Sequence, residues 1–463
     1  MEKQSCAENN NIGKVDIGED TVHIVTVKEF SQLLESQPRK WQPGSRRPHQ
    51  MHKAPPELRL RRQQSEHVYD PVLVSLGPYH HGKPELRRVE EFKYLCLDWF
   101  AEGNEEKKAF LYNKVFEKID VIRSCYAETT IVDKYDDKAL ALMMLLDACF
   151  IINLMKFISE ETENNLDWVE CLGEAASSAF MLADIMLLEN QIPFLVLKLL
   201  ISLRYEKTDE AEELVESFIC WITTVDLNLA KIPRENEDPP IHILEACWRV
   251  LVQKHNNIEP KFQGSEKSLT RRKKNHNNVS YTCRSAMDLK AKGIHFSPSS
   301  TQSLMDITFK SYPSYGRLKL PIRYVSDRTQ VVFSNMIAYE VSPNSKTKPA
   351  VLSYVNLMKS VIQSPADVKE LQEKGILFNR LANHEQAVKV FKEIDMFGYV
   401  DFDIFDDVKQ RIEEHCKSKA KTWIVDLIHT WFRTPWTAIA LFAATFLLCL
   451  TFLQTYFTIR PVK

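Results

Sequence analysis

Residues 139–158 read ALALMMLLDACFIINLMKFI, an apolar run long enough for about five turns of helix. Its Leu, Ile and Phe residues favour membrane insertion by roughly 3–6 kcal/mol. Asp147 lies near the centre of the run and opposes insertion by about 2.5–3.5 kcal/mol, and Asn153 adds to that penalty. We therefore expect this helix to form the buried centre of a globular domain rather than a membrane span.

The overall composition agrees with a large helical domain. The chain has 463 residues, of which 44% are hydrophobic and 26% are charged, as in ordinary globular proteins. Only 12 glycines are present, where about 7% of residues, or roughly thirty, is typical. Because tight turns, barrels and phosphate-binding loops use glycine, this scarcity favours long helices. We predict a mainly α, multi-helix globular domain with a few short β-strands.

The cysteine pattern and the net charge argue against metal and nucleic-acid ligands. Ten cysteines are spread from Cys6 to Cys449 without a CxxC pair, and Cys149 and Cys220 stand in apolar stretches. This pattern indicates reduced, buried cysteines in a cytosolic domain, and it does not supply a zinc site. The net charge of -2 gives no overall attraction to nucleic acid. We expect no metal, no cofactor and no nucleic-acid partner.

A second apolar run lies at the C-terminus. Residues 436–457 read WTAIALFAATFLLCLTFLQTYF and contain no charged side chain. A helix of this length spans roughly 33 Å, enough for a hydrocarbon core of about 30 Å. Trp431, Trp436 and Tyr456 are suited to the two membrane interfaces. We therefore predict one transmembrane helix at 436–457, in contact with membrane lipid, and a short tail at 458–463.

The flanking sequence predicts the orientation of this span. The N-terminus is polar and has no apolar signal-peptide region, and few residues follow the span. The expected result is a single-pass C-terminal anchor with the large domain in the cytosol and Asn278 unglycosylated. More positive charge precedes the span than follows it: Lys417, Lys419, Lys421 and Arg433 come before, and Arg460 and Lys463 come after. The choice between plasma membrane and endomembrane stays open.

The segment that precedes the span, residues 417–435, is amphipathic. One helical face would carry large apolar side chains: Trp423, Ile424, Leu427, Ile428, Trp431 and Phe432. Together with its lysines, this face is typical of a juxtamembrane helix that lies on the bilayer. The alternative is an ordinary amphipathic helix packed on the globular domain.

The remaining chain divides into a disordered start, one large domain and an exposed linker. We predict disorder for residues 1–20, a mainly helical domain over 21–416, and a linker at about 254–280. Short strands are expected at Val22–Val27, Leu304–Phe309, Leu318–Val325 and Val331–Phe333. Helices are expected between Glu85 and about Trp248, and again at Lys348–Ile362, Pro365–Lys374 and Glu385–Glu393.

The stretch VSLGPYHHGKPE, residues 74–85, predicts a rigid bend before a helix that begins near Pro84. Its turn-forming and presented residues are Gly77, Pro78, Tyr79, His80, His81 and Gly82. The two histidines have two interpretations. Adjacent histidines rarely bind one metal together, so we favour hydrogen-bonded structural histidines over a metal site.

The stretch DIMLLENQIPF, residues 184–194, places Glu189, Asn190 and Gln191 in a strongly apolar context. Pro193 cannot continue a preceding helix but is suited to open the next one. We expect Asn190 to cap this second helix, and Glu189 and Gln191 to satisfy unpaired backbone groups at the break. The alternative is a proton-transfer role for a buried Glu189.

Together these stretches resemble the plant family known as domain of unknown function 247. The resemblance is carried by VSLGPYHHG, LLENQIPF, DACFII, TPWTAIALFAATFLLCLTFLQT, Pro56–Arg59, Tyr69–Pro71, Ser285–Phe296 and Leu318–Glu340, and it covers about residues 54 to 457. It implies a plant membrane-associated protein with a helical fold, one C-terminal span and no assigned catalytic mechanism. Some members of the family are linked to self-incompatibility in pollen, so the resemblance favours partner recognition.

Three functions remain open at this point. The sequence contains no phosphate-binding, dinucleotide, metalloprotease or nucleophile-elbow motif. A membrane-anchored interaction module with unknown protein partners is the favoured function. The alternatives are a structural or lipid-contacting scaffold and an enzyme of unrecognised type that uses histidine, cysteine or glutamate side chains.

Overall fold

The computed structural model describes nine stretches of the chain. They are residues 50–60, 68–159, 179–205, 208–225, 238–253, 284–343, 347–396, 404–417 and 435–459. The described chain is mostly helical, with 63% helix and 7% strand. This confirms the predicted mainly α class with a few short strands. The predictions for residues 1–20, Val22–Val27, the linker at 254–280 and the juxtamembrane residues 418–434 lie outside the described residues.

Helices of the first half surround one long central helix. They are α1 (Pro56–Leu60), a short 3-10 helix (Pro84–Leu86), α2 (Arg87–Ala101), α3 (Glu105–Phe116), α4 (Ile119–Ser124), α5 (Thr129–Val132), α6 (Asp137–Ser159), α7 (Ala179–Ile185), α8 (Phe194–Arg204), α9 (Thr208–Thr223) and α10 (Ile243–Val252). The predicted helix start near Pro84 is confirmed.

The central helix is α6, which contains the apolar run 139–158. Helices α2, α3, α4, α8 and α9 all pack against it, which explains why it is apolar on every face. Asp136 begins the helix by accepting a 2.7 Å hydrogen bond from the backbone N–H of Ala139. Among the described helices, α6 alone is long and apolar enough to cross a membrane, yet 72% of its apolar window is buried inside the protein. The prediction of a core helix is confirmed.

The second half combines two small sheets with further helices. Its elements are α11 (Ala286–Ala291), β1 (Ile294–Pro298), β2 (Thr308–Ser311), β3 (Gly316–Leu320), β4 (Arg323–Val325), α12 (Thr329–Val341), α13 (Ala350–Val361), α14 (Pro365–Glu373), β5 (Leu377–Asn379), α15 (His384–Glu393), α16 (Asp406–Lys417) and α17 (Pro435–Ile459). The three helices predicted between residues 348 and 393 are confirmed. The predicted strand at 331–333 is wrong, because these residues lie inside α12.

The strands form two separate sheets. In the first, β3 lies between β1, which is parallel to it, and β2, which is antiparallel, with Phe309 opposite Leu318. In the second, β4 pairs with β5 in parallel, with Arg323 opposite Leu377. Helix α16 packs on β2, where Ser311 Oγ lies 2.8 Å from His415 Nδ1. Helices α12, α13 and α15 pack together, and α14 packs on β5 of the second sheet.

Polar residues in the sequence determine where several helices begin. The side chains of Asn104, Ser285 and Asn383 accept hydrogen bonds from the first turns of α3, α11 and α15. Ser364 and Asp367 form a reciprocal capping box at the start of α14. Each bond satisfies a backbone N–H that has no partner within its helix.

Candidate functional site

The two polar stretches singled out from the sequence meet in the structure. A Cβ atom at Gly77 would lie only 2.5 Å from the backbone oxygen of Gln191. The hydroxyl of Tyr126 donates to that same oxygen at 3.3 Å. The bend at 77–82 and the break between α7 and α8 therefore form one contiguous buried region.

At the centre of this region lies a stretch outside any helix or strand, Val72–Gly77, which we name the clamped segment. Its backbone N–H groups bind side chains instead of a neighbouring strand. Asp184, in α7, accepts hydrogen bonds from the N–H groups of three consecutive residues at 2.7–3.1 Å: Val72, Leu73 and Val74. This one carboxylate satisfies three backbone N–H groups that lie outside any helix or strand.

Asn190 and Asp147 continue the same pattern. Asn190 accepts from the N–H of Leu76 at 2.7 Å and donates to the carbonyl of Val74 at 2.9 Å. Asp147 accepts from the N–H of Gly77 at 2.7 Å. The prediction that Asn190 caps the next helix is wrong, because the start of α8 has no side-chain cap. The Asn190 amide is occupied by the clamped segment instead.

Gln191 and Pro193 act at the helix break largely as predicted. The amide of Gln191 donates to the carbonyls of Ile185 and Leu187 at the end of α7, which confirms its role with unpaired backbone groups. Its oxygen also accepts from the N–H of Leu244, in the first turn of α10, at 3.2 Å. Pro193 directly precedes the first residue of α8, so it opens that helix.

Glu189 binds a different part of the chain. Its carboxylate accepts from the backbone N–H of Ala54 at 3.1 Å and pairs with Arg59 at 2.9 Å. Arg59 also pairs with Asp70 at 3.0 Å, and Asp70 lies 3.5 Å from Lys83. The prediction that Glu189 satisfies backbone groups at the helix break is therefore wrong, because its carboxylate binds residues 54–59 instead.

A buried ion cluster lies on the other side of the clamped segment. Lys93, which is fully buried, contacts Asp147 at 2.6 Å, the Ser75 carbonyl at 2.6 Å, and the carboxylate of Glu90. Burial alone would lower the pKa of Lys93, but Asp147 and Glu90 outweigh it and raise that pKa. Despite its own burial, Glu90 has its pKa lowered to about 2 by His81 and Lys93. Lys93 and Glu90 therefore stay charged, whereas burial raises the pKa of Asp147. The three side chains hold α2 and α6 to the clamped segment.

The two adjacent histidines occupy different environments. His81 Nδ1 lies 3.5 Å from Glu90, and this carboxylate raises the pKa of His81. His80 is buried, and neither of its ring nitrogens has a hydrogen-bond partner among the described residues. Burial, and then the charge of Lys83, lower the pKa of His80 to about 4, although Asp70 lies 3.8 Å away. The expectation of a hydrogen-bonded histidine is therefore wrong for His80.

Because His80 is buried in its neutral form, we expect the folded protein to lose stability in acid. Between pH 6.5 and 4 the unfolded chain binds a proton at this position and the folded chain does not, so stability falls as the pH falls through this window. At about 1.4 kcal/mol per pKa unit, the loss attributable to His80 is about 2–3 kcal/mol. We expect His80→Gln to remove this loss in denaturant titrations of the full chain at pH 7 and pH 4. His295→Gln, at an exposed site, is the control; an unchanged pH dependence in His80→Gln would refute the assignment.

Several important residues of this region were not identified from the sequence. The sequence alone assigns no role to Asp184, Lys93 or Glu90. In α12, Asn335 accepts from the N–H of Leu188 at 2.9 Å and donates to the carbonyl of Val68 at 2.7 Å. A carboxylate or amide inside an apolar run was the available signal, because a buried polar side chain requires a partner.

The arrangement fixes backbone geometry more readily than it supports acid–base chemistry. The oxygens of Asp184, Asn190 and Asp147 accept from backbone N–H groups, and Glu189 is bound by an arginine. In the described part of the chain, no group of three or more His, Cys, Asp or Glu side chains is placed to hold a metal ion. The expected absence of a metal or cofactor stays a prediction.

Comparison with known proteins identifies plant relatives of this chain. Among curated proteins, the chain is 24% identical to the putative UPF0481 protein At3g02645 of Arabidopsis thaliana, over 84% of this chain and 86% of the relative. It is also 24% identical to the UPF0481 protein At3g47200 of Arabidopsis thaliana, over 84% of this chain and 82% of that relative. No solved structure matches the chain. The sequence model of domain of unknown function 247, described as a plant protein of unknown function, matches residues 51–450, and the chain therefore belongs to this plant family.

Proposed function

We propose that this chain is a membrane-anchored recognition protein, with α17 as its anchor. The observation that most strongly supports this proposal is the exposure of the apolar side chains of α17. Phe442, Leu448 and Phe452 are each more than 70% exposed, although the helix carries no charged residue. Burying one such side chain contributes about 1.5–3 kcal/mol, so α17 requires an apolar environment outside the described fold.

The length of α17 suits a membrane. Its 25 residues extend roughly 37 Å, longer than a hydrocarbon core of about 30 Å. The described apolar section, Phe442–Tyr456, is shorter than that of α6, but the sequence is free of charge from Trp436 to Phe457. Ten Leu, Ile and Phe residues in that range favour insertion by roughly 3–6 kcal/mol without an opposing aspartate.

A cytosolic position for the large domain belongs to the same proposal. More basic residues precede α17 than follow it, as expected when the preceding flank is cytosolic. None of the seven described cysteines forms a disulfide, which fits a reducing compartment. Burial raises the pKa of the Cys125 thiol to about 11, so this thiol stays protonated.

The contacts of the polar motif residues favour recognition over catalysis, because these side chains bind other parts of the chain. Glu189, the side chain considered for proton transfer, is bound to an arginine and to a backbone N–H. Arg59 also pairs with Asp70, which contacts Lys83, so the network fixes the outer end of the bend, where His81 and Lys83 are partly exposed and Gly82 is exposed. A rigid surface loop is suited to a partner, because little conformational entropy is lost on binding.

Removing α17 tests the anchor. We expect the full chain to resist carbonate extraction from membranes and a chain ending at Thr422 to be released completely. The physical reason is that α6 keeps its apolar surface inside the protein. Protease treatment of sealed microsomes should digest the large domain of the full chain. Membrane integration of the shortened chain, or protection of the domain with glycosylation at Asn278, would contradict the proposal.

Partner recognition requires a separate measurement. A proximity-labelling enzyme fused to the N-terminus of the full chain should label specific proteins in plant tissue. The matched control carries the same enzyme on residues 418–463 alone, which keeps the predicted anchor and removes the domain. Proteins enriched only by the full chain are recognition partners. Identical labelling by both fusions would instead favour a structural or lipid-contacting scaffold.

A further inference from the structure

Three arginines of the second half of the chain line one cavity. Its volume is about 70 Å³, and it lies between the end of α9, strand β4 and the start of α12. Arg323, Arg328 and Arg380 all line it, together with Thr224 and Ser326. The proposed anchor and the motif region do not explain this concentration of positive charge.

Arg323 forms the buried end of the cavity. Its side chain is only 4% exposed, and it donates to the backbone carbonyls of Thr223 and Gln302. Its Nε–H is buried and has no hydrogen-bond partner among the described residues. No carboxylate of the described chain forms an ion pair with it. A buried guanidinium without a counterion is strongly unfavourable, so this position is suited to a bound anion.

Arg328 and Arg380 lie nearer the surface and are oriented by aromatic rings. The guanidinium of Arg380 stacks over Tyr324 at 4.4 Å, and that of Arg328 lies 6.0 Å from the ring centre of Trp221. Stacking occupies the face of a guanidinium and leaves its N–H edge able to bind. Burial, and then the charge of Arg380, lower the pKa of Arg328, as expected when two cations lie close together without an anion.

The size and charge of the cavity indicate the chemical class of the anion. A water-sized group needs roughly 10–15 Å³, so 70 Å³ has room for about five to seven such groups, enough for the oxygens of one phosphate. Three positive charges favour a dianion over a single carboxylate, and phosphate monoesters carry a charge of about −1.5 to −2 at neutral pH. Arginine binds phosphate oxygens through paired N–H groups.

We propose that the cavity lined by Arg323, Arg328 and Arg380 is a binding site for a phosphate group. Arg323 contacts the phosphate from the buried end, and Arg328 and Arg380 contact it from the opening. The phosphate belongs either to a soluble phosphorylated molecule or to a phosphorylated lipid headgroup. This site is independent of the proposed anchor, since none of its residues lies in α17.

Binding of inorganic phosphate to the full chain tests the proposal. The chain is placed in discs of neutral phosphatidylcholine and titrated with phosphate at constant ionic strength set by chloride. We expect saturable binding that Arg328→Gln and Arg380→Gln each weaken by about tenfold, because each removes a charge-assisted hydrogen-bond donor. Arg317→Gln is the matched control, since Arg317 is exposed and lies outside the cavity.

Circular dichroism and thermal melts confirm that each variant is folded before binding is measured. Absence of saturable phosphate binding by the unaltered chain would overturn the proposal. Equal weakening by Arg317→Gln would also overturn it, because the attraction would then be a general effect of surface charge. Retained affinity in the folded Arg328→Gln and Arg380→Gln double variant would place the phosphate elsewhere.

Discs that contain a singly phosphorylated phosphatidylinositol distinguish the source of the phosphate. If the headgroup occupies the cavity, added inorganic phosphate no longer binds in these discs, whereas it still binds in discs of phosphatidylcholine alone. If binding is equal in both kinds of disc, the natural ligand is a soluble phosphorylated molecule. Either result supports the phosphate site. In both cases we expect binding to depend on Arg323, Arg328 and Arg380.

Discussion

Replacing Asp147 by Ala should lower the free energy of unfolding by about 3–5 kcal/mol, the effect expected when one partner of a buried ion pair is removed. Asp147 is almost fully buried in α6 and contacts Lys93, which is fully buried in α2. Its other oxygen accepts from the N–H of Gly77. The variant leaves the ammonium with one fewer carboxylate and the N–H without a partner. Denaturant titration of the full chain in detergent micelles measures the loss.

A second variant separates charge from packing. Lys93→Met with Asp147→Leu removes both charges and keeps apolar side chains of similar size. Replacement of a buried ion pair in this way is often neutral or stabilising. We expect the double variant to regain only part of the stability lost by Asp147→Ala, because Glu90 and the Ser75 carbonyl lose their contacts with Lys93. A loss below about 1 kcal/mol in Asp147→Ala would show that the pair contributes no more than an exposed one.

Gly77→Ala should be the second strongly destabilising change, with a loss of about 2–5 kcal/mol. Gly77 has φ of +71°, a conformation that costs other residues about 1–2 kcal/mol. The added Cβ would also lie 2.5 Å from the backbone oxygen of Gln191, and such overpacking typically costs about 1–3 kcal/mol. The oxygen belongs to the break between α7 and α8 and cannot move as a flexible side chain can.

Gly82→Ala provides the matched control for this second change. Gly82 has a similar φ of +84°, but no atom lies within 4 Å of an added Cβ. We expect Gly82→Ala to show the conformational cost of about 1–2 kcal/mol alone. The difference between the two variants isolates the close approach of the bend to the helix break. Equal losses would contradict that close approach.

Local patterns predicted the elements whose causes are local. The apolar run of α6, the helix start near Pro84 and the opening of α8 after Pro193 follow from periodicity and from the geometry of proline. The prediction of a strand at 331–333 was wrong because it also relied on local propensity alone. Val331 and Val332 are β-branched and favour strands, but residues 331–333 lie inside α12, a helix that packs against α10, α13 and α15.

The polar network depends on partners that are distant in sequence. Asn190 is a good helix cap by type, but its amide binds Leu76, which is 114 positions away. Asp147 was recognised only as an obstacle to membrane insertion, and its partner Lys93 is 54 positions away on a different helix. A single sequence shows that such side chains require partners. It does not show which ones, because that choice depends on the packing of the helices.

The clamped segment has a consequence for synthesis of the protein in the cell. Val74 and Asp184 are 110 positions apart, and Leu76 and Asn190 are 114 apart. At roughly 5–20 residues per second, the ribosome needs roughly 5–20 s to produce the acceptors after it has produced the donors. During that interval an apolar stretch with free backbone N–H groups is open to wrong pairing with other nascent chains. Transient shielding by a chaperone until α7 emerges would therefore bear directly on the yield of folded protein.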